Sequence, residues 1–269
     1  PVLLGLSCTA AEGGRIMNTT RRKFLKLAGL TALGWSLRPS ILMAASNSAT
    51  GIADPGDALH AKRWAMTIDT KALTEEIMHK CIDICNKIHN IPQIDSDEEI
   101  KWIWTAPFEH LCPGQVHKRL MEMPEENSLS LCNHCDNPPC VRVCPTKATF
   151  QRDDGIVMMD FHRCIGCRYC MAACPYGSRS FNFSDPRNYL KDPTPDFPTR
   201  TKGVVEKCEF CSERLAEGKL PACVEVSEGA LKFGDLDDPH SDVSKALENR
   251  YSIRRKPELG TEPCVYYLI

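Results

Sequence analysis

Aromatic side chains are scarce in this chain: only 7% of its 269 residues are Phe, Trp or Tyr, although 42% are hydrophobic. A chain of this length can bury one or two cores. With so few rings to fill them, bound metal is expected to supply much of the folding free energy. A basic excess is also missing, the formal charge being -2, which removes the electrostatic footprint of a nucleic-acid binder. There is no Gly-rich nucleotide loop and no Ser-His-Asp constellation, so nucleotide chemistry and triad hydrolysis have no carrier. Beyond Leu37 no apolar run approaches the roughly 18 to 20 residues of a membrane span, so the mature protein is expected to be soluble and to meet a membrane only through a partner.

Cysteine is what the chain has in abundance, with sixteen residues. Eleven of them form spaced sets: Cys132-x2-Cys135-x4-Cys140-x3-Cys144-Pro145, then Cys164-x2-Cys167-x2-Cys170-x3-Cys174-Pro175, then Cys208-x2-Cys211 and Cys223. The second set has the bacterial ferredoxin spacing, in which three close thiolates hold one cubane and the fourth reaches across to another. Thiolate sulfur is a soft donor suited to iron, and short loops let three sulfurs each face one cluster corner. By this scheme Cys132, Cys135, Cys140 and Cys174 hold a first 4Fe-4S cluster, and Cys164, Cys167, Cys170 and Cys144 a second. Zinc also takes Cys-x2-Cys pairs, but two successive four-cysteine runs closed by proline favour iron and sulfide. In the third set Ser227 stands where a fourth cysteine would fall, leaving three corners.

The N-terminal residues address the chain rather than fold it. Arg21-Arg22-Lys23-Phe24-Leu25-Lys26 is a twin-arginine element, followed by an apolar stretch from Leu27 to Leu37 and the small residues Ala44-Ala45. A Tat signal peptide is expected over 17–45, with 1–16 lying upstream of the start at Met17 and 46–60 a spacer. Tat export carries folded proteins, which reconciles a cysteine-rich exported chain with cluster insertion in a reducing compartment. The expected location is the extracytoplasmic face of the cell membrane, peripheral through partners.

The expected fold class is α+β, built of duplicated bacterial ferredoxin-like units of short strands, Cys loops and helical turns, with irregular arms. Trp64–Asp69 is a strand-length apolar run, and the same shape recurs at Gly155–Asp160, which reads as an internal repeat. Residues 148–152 and 156 onward read as a hairpin turning at Gly155. Further strands are expected at 180–183, 203–206 and 230–233, and helical turns at 141–143 and 171–173, each stopped by the proline beyond it. Residues 74–89 read as a helix with Ile77, Cys81, Ile84 and Ile88 on one face. The prolines of 184–202 mark a surface arm, and the charges of 95–99 a solvated face. The units are expected as 61–130 with 200–269 (outer, one degenerate cluster site) and 131–183 (inserted, two clusters).

On these residues the chain resembles the ferredoxin-like iron-sulfur subunits of membrane oxidoreductases, such as DMSO, polysulfide and formate-dependent nitrite reductases. Cys208-Glu209-Phe210-Cys211, with Arg214, Gly218 and Pro221-Ala222-Cys223-Val224, is similar to the last of that family's four cysteine sets. The Tat signal and the two degenerate sets are most like the exported iron-sulfur subunits of the Dsr complex and the Hdr-like menaquinol oxidoreductase. The resemblance implies that Cys85, in Cys85-Asn86-Lys87-Ile88-His89-Asn90-Ile91-Pro92, is the crossing ligand of a third cluster with Cys208, Cys211 and Cys223. A fourth would need Glu75, Met78, Cys81 and Ser227, and is expected to be lost from both ends at once. Cys81, Cys112 and Cys264 are read as buried small hydrophobes, the alternative being an atypical fourth centre; Cys8 lies outside the mature chain.

The function expected is electron transfer by a non-catalytic subunit, with a quinol-reacting integral membrane subunit and a multihaem cytochrome c or other redox subunit as the partners that the resemblance implies. The alternatives are a four-cluster subunit of a DMSO- or polysulfide-type reductase, or a reductase acting at an open iron site. Arg142, Lys147, Arg163, Arg168, Lys207 and Arg214 are candidates for tuning cluster potentials, although each also reads as an ordinary surface charge. His79, His89, His110, His117, His134 and His162 are expected to be structural or exposed.

Overall fold

A computed structural model describes residues 57–114 and 127–269. The Tat-type segment, Cys8, His117 and most of the 46–60 spacer lie outside the described residues. Strand β1 (Trp64–Asp69) is an almost wholly buried run, as expected of a strand with a neighbour on each side. Helix α1 (Glu75–Ile88) starts at Thr74, whose hydroxyl accepts from the Ile77 amide at 3.3 Å, with Glu75 and Glu76 in the first turn and Lys87 in the last. Cap and end charges thus agree with the helix dipole. Its buried face carries Ile77, Met78, Cys81 and Cys85. Ile84 and Ile88 are only half-buried, so the face is turned from the one that the isoleucine spacing predicts.

Strand β2 (Ile103–Pro107) leads into a single turn, α2 (Phe108–Leu111), and pairs antiparallel with β3 (Asn127–Leu131). A helical turn α3 (Pro139–Arg142) and the hairpin β4 (Thr149–Gln151) and β5 (Val157–Met159) follow, with Thr149 opposite Met159. The hairpin turns through Gly155 at φ 85°, a conformation that costs glycine little. Next come α4 (Tyr169–Ala173) and β6 (Ser180–Phe181), which pairs antiparallel with β7 (Val205–Glu206). Both helical turns begin before the third cysteine of their set and so contain it. The last third holds α5 (Ser212–Ala216), α6 (Ala222–Glu225), β8 (Leu231–Asp235), α7 (Asp242–Asn249), β9 (Ser252–Ile253) and β10 (Val265–Leu268).

The architecture is mixed α and β, with short helices and four small sheets among the described residues. The largest sheet has the order β8-β1-β10-β9, with β1 antiparallel to β8 and parallel to β10. Met66 lies beside Phe233 on one side and Val265 on the other, so the first and last strands of the described chain share a sheet. Of the two runs of similar sequence, 64–69 has two strand partners and 157–159 one. The main core gathers Trp64, Met66, Trp102, Phe108, Phe210 and Tyr267 with Cys81, Cys85, Cys112, Cys132, Cys208 and Cys223. A second, smaller apolar group holds Cys140, Val157, Met159, Cys170 and Val205. Cysteine sulfur is thus part of both interiors.

The arm at 184–202 is largely exposed and is pinned near its end. Asn90 donates to the Thr194 carbonyl at 2.9 Å and accepts from the Thr194 amide at 2.7 Å. Arg200 then enters the core, where Arg200 and Glu206 form a 2.7 Å ion pair with both side chains 0% exposed. Glu206 also accepts from Trp102 Nε1 at 3.0 Å and from Asn182, and Arg200 donates to the His89 and Asn90 carbonyls. Removing one member of such a buried pair strands the other. Glu206→Ala should destabilise the holoprotein by about 3–5 kcal/mol, measured as a lowered anaerobic denaturation midpoint. Arg200→Met with Glu206→Leu should recover part of that loss.

Candidate metal centres

Cys132 leaves β3, Cys135 follows His134 in the left-handed region at φ 42°, Cys140 sits in α3, and Cys174 caps α4. Together these four thiols line one cavity, walled also by Val157, Tyr176 and Arg179. A second cavity is lined by Cys85 from α1, Cys208 beyond β7, Cys211 at the start of α5 and Cys223 in α6, with His89, Trp102 and Phe210. Cys211 itself takes φ 50°, which turns the chain sharply into α5. The thiols of the first cavity thus come from two chain segments, 132–140 and Cys174, and those of the second from three, Cys85, 208–211 and Cys223.

Burial pushes the thiols up, and they push one another. Cys85 is driven well above its ordinary value by burial, then by the charges of Cys208, Cys211 and Cys223. Cys211 is pushed up to about 12 by burial, with Glu213 adding to it. Burial, followed by Cys211 and Cys208, drives Cys223 far up as well. Thiolates cannot persist there without positive charge, which is what a metal centre brings.

The remaining set is wetter. Cys170 is buried in the second apolar group, Cys144 and Cys164 are half-buried against it, and Cys167 is exposed. Cys144 is held below its ordinary value: burial raises it, but hydrogen bonds from Thr149 and Thr146 outweigh that. The amide of Thr149 lies 3.5 Å from its sulfur. The loop of Cys167 depends on Gly166, at φ 70°, where a Cβ would come 2.4 Å from the Gly203 carbonyl oxygen. Only glycine fits this approach.

The donors around the cavities match a thiolate-held iron-sulfur cluster. The donors Arg179 Nη2 and Asn133 Nδ2 are buried without a hydrogen-bond partner, and both residues wall the first cavity. An unsatisfied buried donor costs about 1–3 kcal/mol, more when charged, and sulfur acceptors inside the cavity would relieve that cost. Lys207 is 0% exposed, with Nζ donating to the carbonyls of Val157 and Cys208. Of the six cationic candidates it alone is fully buried. Arg142, Lys147, Arg163 and Arg168 are exposed, and Arg214 is half-buried in a 2.6 Å pair with Glu225.

Arg179 escapes sequence reading because nothing in Gly177-Ser178-Arg179-Ser180 distinguishes a buried arginine from a surface one. His89 and His134 are 1% exposed and adjoin the cysteine loops. His89 Nε2 meets Glu213 at 2.9 Å, and its Nδ1 lies 3.1 Å from the Cys85 carbonyl. His134, in the Cys132–Cys135 loop, stacks on Phe210 of the Cys208–Cys211 loop with centroids 3.7 Å apart. It accepts from the Val157 amide at 3.0 Å. His79, His110 and His162 are exposed.

At the position of the missing cysteine, Ser227 is 0% exposed; its hydroxyl donates to the Val224 carbonyl at 2.8 Å and accepts from the Leu231 amide at 3.1 Å. It ties α6 to β8. Of its would-be companions Glu75 is exposed, Met78 is buried, and the Cys81 sulfur lies 3.3 Å from the Cys223 carbonyl oxygen. Cys112 closes α2 within the main core, whereas Cys264 packs in a separate apolar group with Ala65 and Val243.

Residues 127–186 match the 4Fe-4S dicluster domain family. The chain is 41% identical to the Hdr-like menaquinol oxidoreductase iron-sulfur subunit 1 of Archaeoglobus fulgidus, over 92% of this chain and 97% of that protein. It is 37% identical to a tetrathionate reductase subunit of Salmonella typhimurium, over 94% of this chain and 89% of that one. With the menaquinone reductase iron-sulfur cluster-binding subunit of Nitratidesulfovibrio vulgaris it shares 37% identity over 77% and 88% of the two chains.

Burial pushes both Cys81 and Cys112 up to about 12, so below that pH each stays a neutral thiol and a poor nucleophile. In the folded holoprotein at pH 8, iodoacetamide should label Cys81 and Cys112 far more slowly than a free cysteine, as read by peptide mass spectrometry. Denaturant should abolish the difference.

Proposed function

Because the chain belongs to the family of iron-sulfur electron-transfer subunits of oxidoreductase complexes, and is not itself a catalytic subunit, we propose that it carries three 4Fe-4S clusters. In this reading they relay electrons between a quinol-reacting membrane subunit and another redox subunit. Cys132, Cys135, Cys140 and Cys174 would hold the first cluster, Cys144, Cys164, Cys167 and Cys170 the second, and Cys85, Cys208, Cys211 and Cys223 the third. The observation that carries the count is the pair of four-thiol cavities, one within the dicluster segment and one drawing Cys85 to the last set. When bound, each cluster supplies a one-electron couple at low reorganisation cost.

The protein's own part is to arrange and insulate. Cys140 and Cys170 share one apolar group and Cys132 and Cys208 the other, which supports an order with the first set in the middle. The third set is walled off by Trp102 and Phe210, which exclude water and sharpen nearby charges. At the other end Cys167 is exposed beside Ile165 and Tyr169, which are 66% and 63% exposed. That end suits contact with a redox partner, where exposed apolar side chains are common. The pairing of β1 with β8 and β10 supports an outer unit of 61–130 with 200–269 around an inserted 131–183. Duplicated ferredoxin-like units remain part of this proposal.

The names of the relatives support the partners: one is a subunit of a menaquinol oxidoreductase, another of a menaquinone reductase. Together with the twin-arginine segment they favour work at the extracytoplasmic membrane face, beside a quinol-interacting subunit and a multihaem cytochrome c or other redox subunit. No helix among the described residues is long and apolar enough to cross a membrane.

Iron analysis of anaerobically purified protein should give about twelve atoms per chain, four to each cubane. Cys85→Ser should remove about four of these and leave the rest reducible; unchanged iron would take Cys85 out of the third set. Ser227→Cys should add none, because Glu75 and Met78 offer no thiolates to complete a fourth site.

A further inference from the structure

Three arginines are buried among the described residues: Arg179, Arg200 and Arg255. Arg200 is neutralised by Glu206. Arg255 spends its nitrogens on Leu111 O, Ser130 Oγ and Tyr176 O at 3.2, 2.8 and 3.4 Å. Arg179 is different. Nη1 has only the Thr149 hydroxyl at 3.0 Å and the Met159 sulfur at 3.8 Å, and Nη2 has nothing. It forms no ion pair with a carboxylate among the described residues. A guanidinium stays charged at every accessible pH, and burying that charge without an anion is strongly unfavourable.

The residue is also placed between two cysteine sets. It walls the cavity of Cys132, Cys135, Cys140 and Cys174, and it lies close enough to Cys140 there and to Cys170 in the next set for its charge to act on both thiols. A planar fork with donors on both sides can serve two acceptors at once. We propose that Arg179 is the shared counter-cation of the two clusters held by these sets, with its free Nη2 hydrogens directed at sulfur of the first, and that it raises both reduction potentials. This rests on the reading of the twelve cysteines as three clusters. Reduction of either cluster takes one electron from the external reductant, breaks no bond and moves no proton on Arg179. The fixed positive charge favours the more negative, reduced form. Arg179 is a positioning and charge-setting residue, and the third cluster lies outside its reach.

The test is an anaerobic redox titration of the full holoprotein followed by EPR, comparing wild type with Arg179→Met and Arg179→Lys. In the methionine variant, at full iron content, two of the three midpoints should fall by at least tenfold in electron affinity, about 59 mV for a one-electron couple, while the third stays put. The lysine variant should fall between. No shift, a shift of one midpoint, or an equal shift of all three would overturn the proposal. Should the methionine variant fail to retain iron, wild-type protein with 15N-labelled arginine settles the matter by pulsed EPR: a 15N coupling to a reduced cluster is expected, and its absence overturns the proposal. Wild-type iron well short of twelve atoms would instead bring down the three-cluster reading beneath it.

Discussion

Buried thiolates repel one another. Two unit charges 4 Å apart in a protein cost about 4 kcal/mol at an effective dielectric near 20, and four sulfurs round one cavity multiply that. Here the constraint is met twice, with Cys132, Cys135, Cys140 and Cys174 at one cavity and Cys85, Cys208, Cys211 and Cys223 at the other. The surrounding protein adds positive charge without neutralising it: Arg179 and Lys207 are buried beside these sets, and among the described residues neither has a carboxylate in an ion pair. The interior is prepared for anions held on metal.

The fold follows from that preparation. Its strands and helical turns are short, and six of the cysteines belong to the main apolar core, so the sulfurs stand inside the packing rather than at its edge. The cysteine loops need unusual backbone at particular points. His134, Arg168 and Cys211 lie in the left-handed region, and Gly166 permits a contact that no side chain would. The larger sheet and the arm do the conventional stabilising: β1 lies between β8 and β10, and Arg200 carries the end of the arm into the core.

Much of this was legible in the sequence because cysteine spacing and hydrophobic runs are local signals. The run at Trp64–Asp69, the hairpin about Gly155 and the helix after Thr74 lie where residue pattern and capping put them. The exposed run at 95–99 also follows its charge. What escaped were elements defined by partners. β2 and β3 are stabilised by each other across a long interruption, and β10 by parallel pairing with β1. The buried face of α1 turned toward Met78 and Cys85 because it packs on α6 and the third set, which isoleucine spacing cannot report. Likewise Arg179, Lys207, His89 and His134 look like ordinary polar residues until the loops close around them.

Ser227 gains meaning from its surroundings. Its hydroxyl is bound by both Val224 and Leu231, so the place where a sulfur ligand would stand has become a hydrogen-bonded joint between a helix and a strand. Beside it Cys81 packs as a small hydrophobe against Cys223. A protein with three redox centres and a fourth position converted to structure is therefore expected. The most direct measurement is a coulometric reduction of the purified holoprotein, counting electrons per chain. Uptake of three one-electron equivalents is predicted; uptake of none, as for zinc, or of four, as for a complete set, would contradict it.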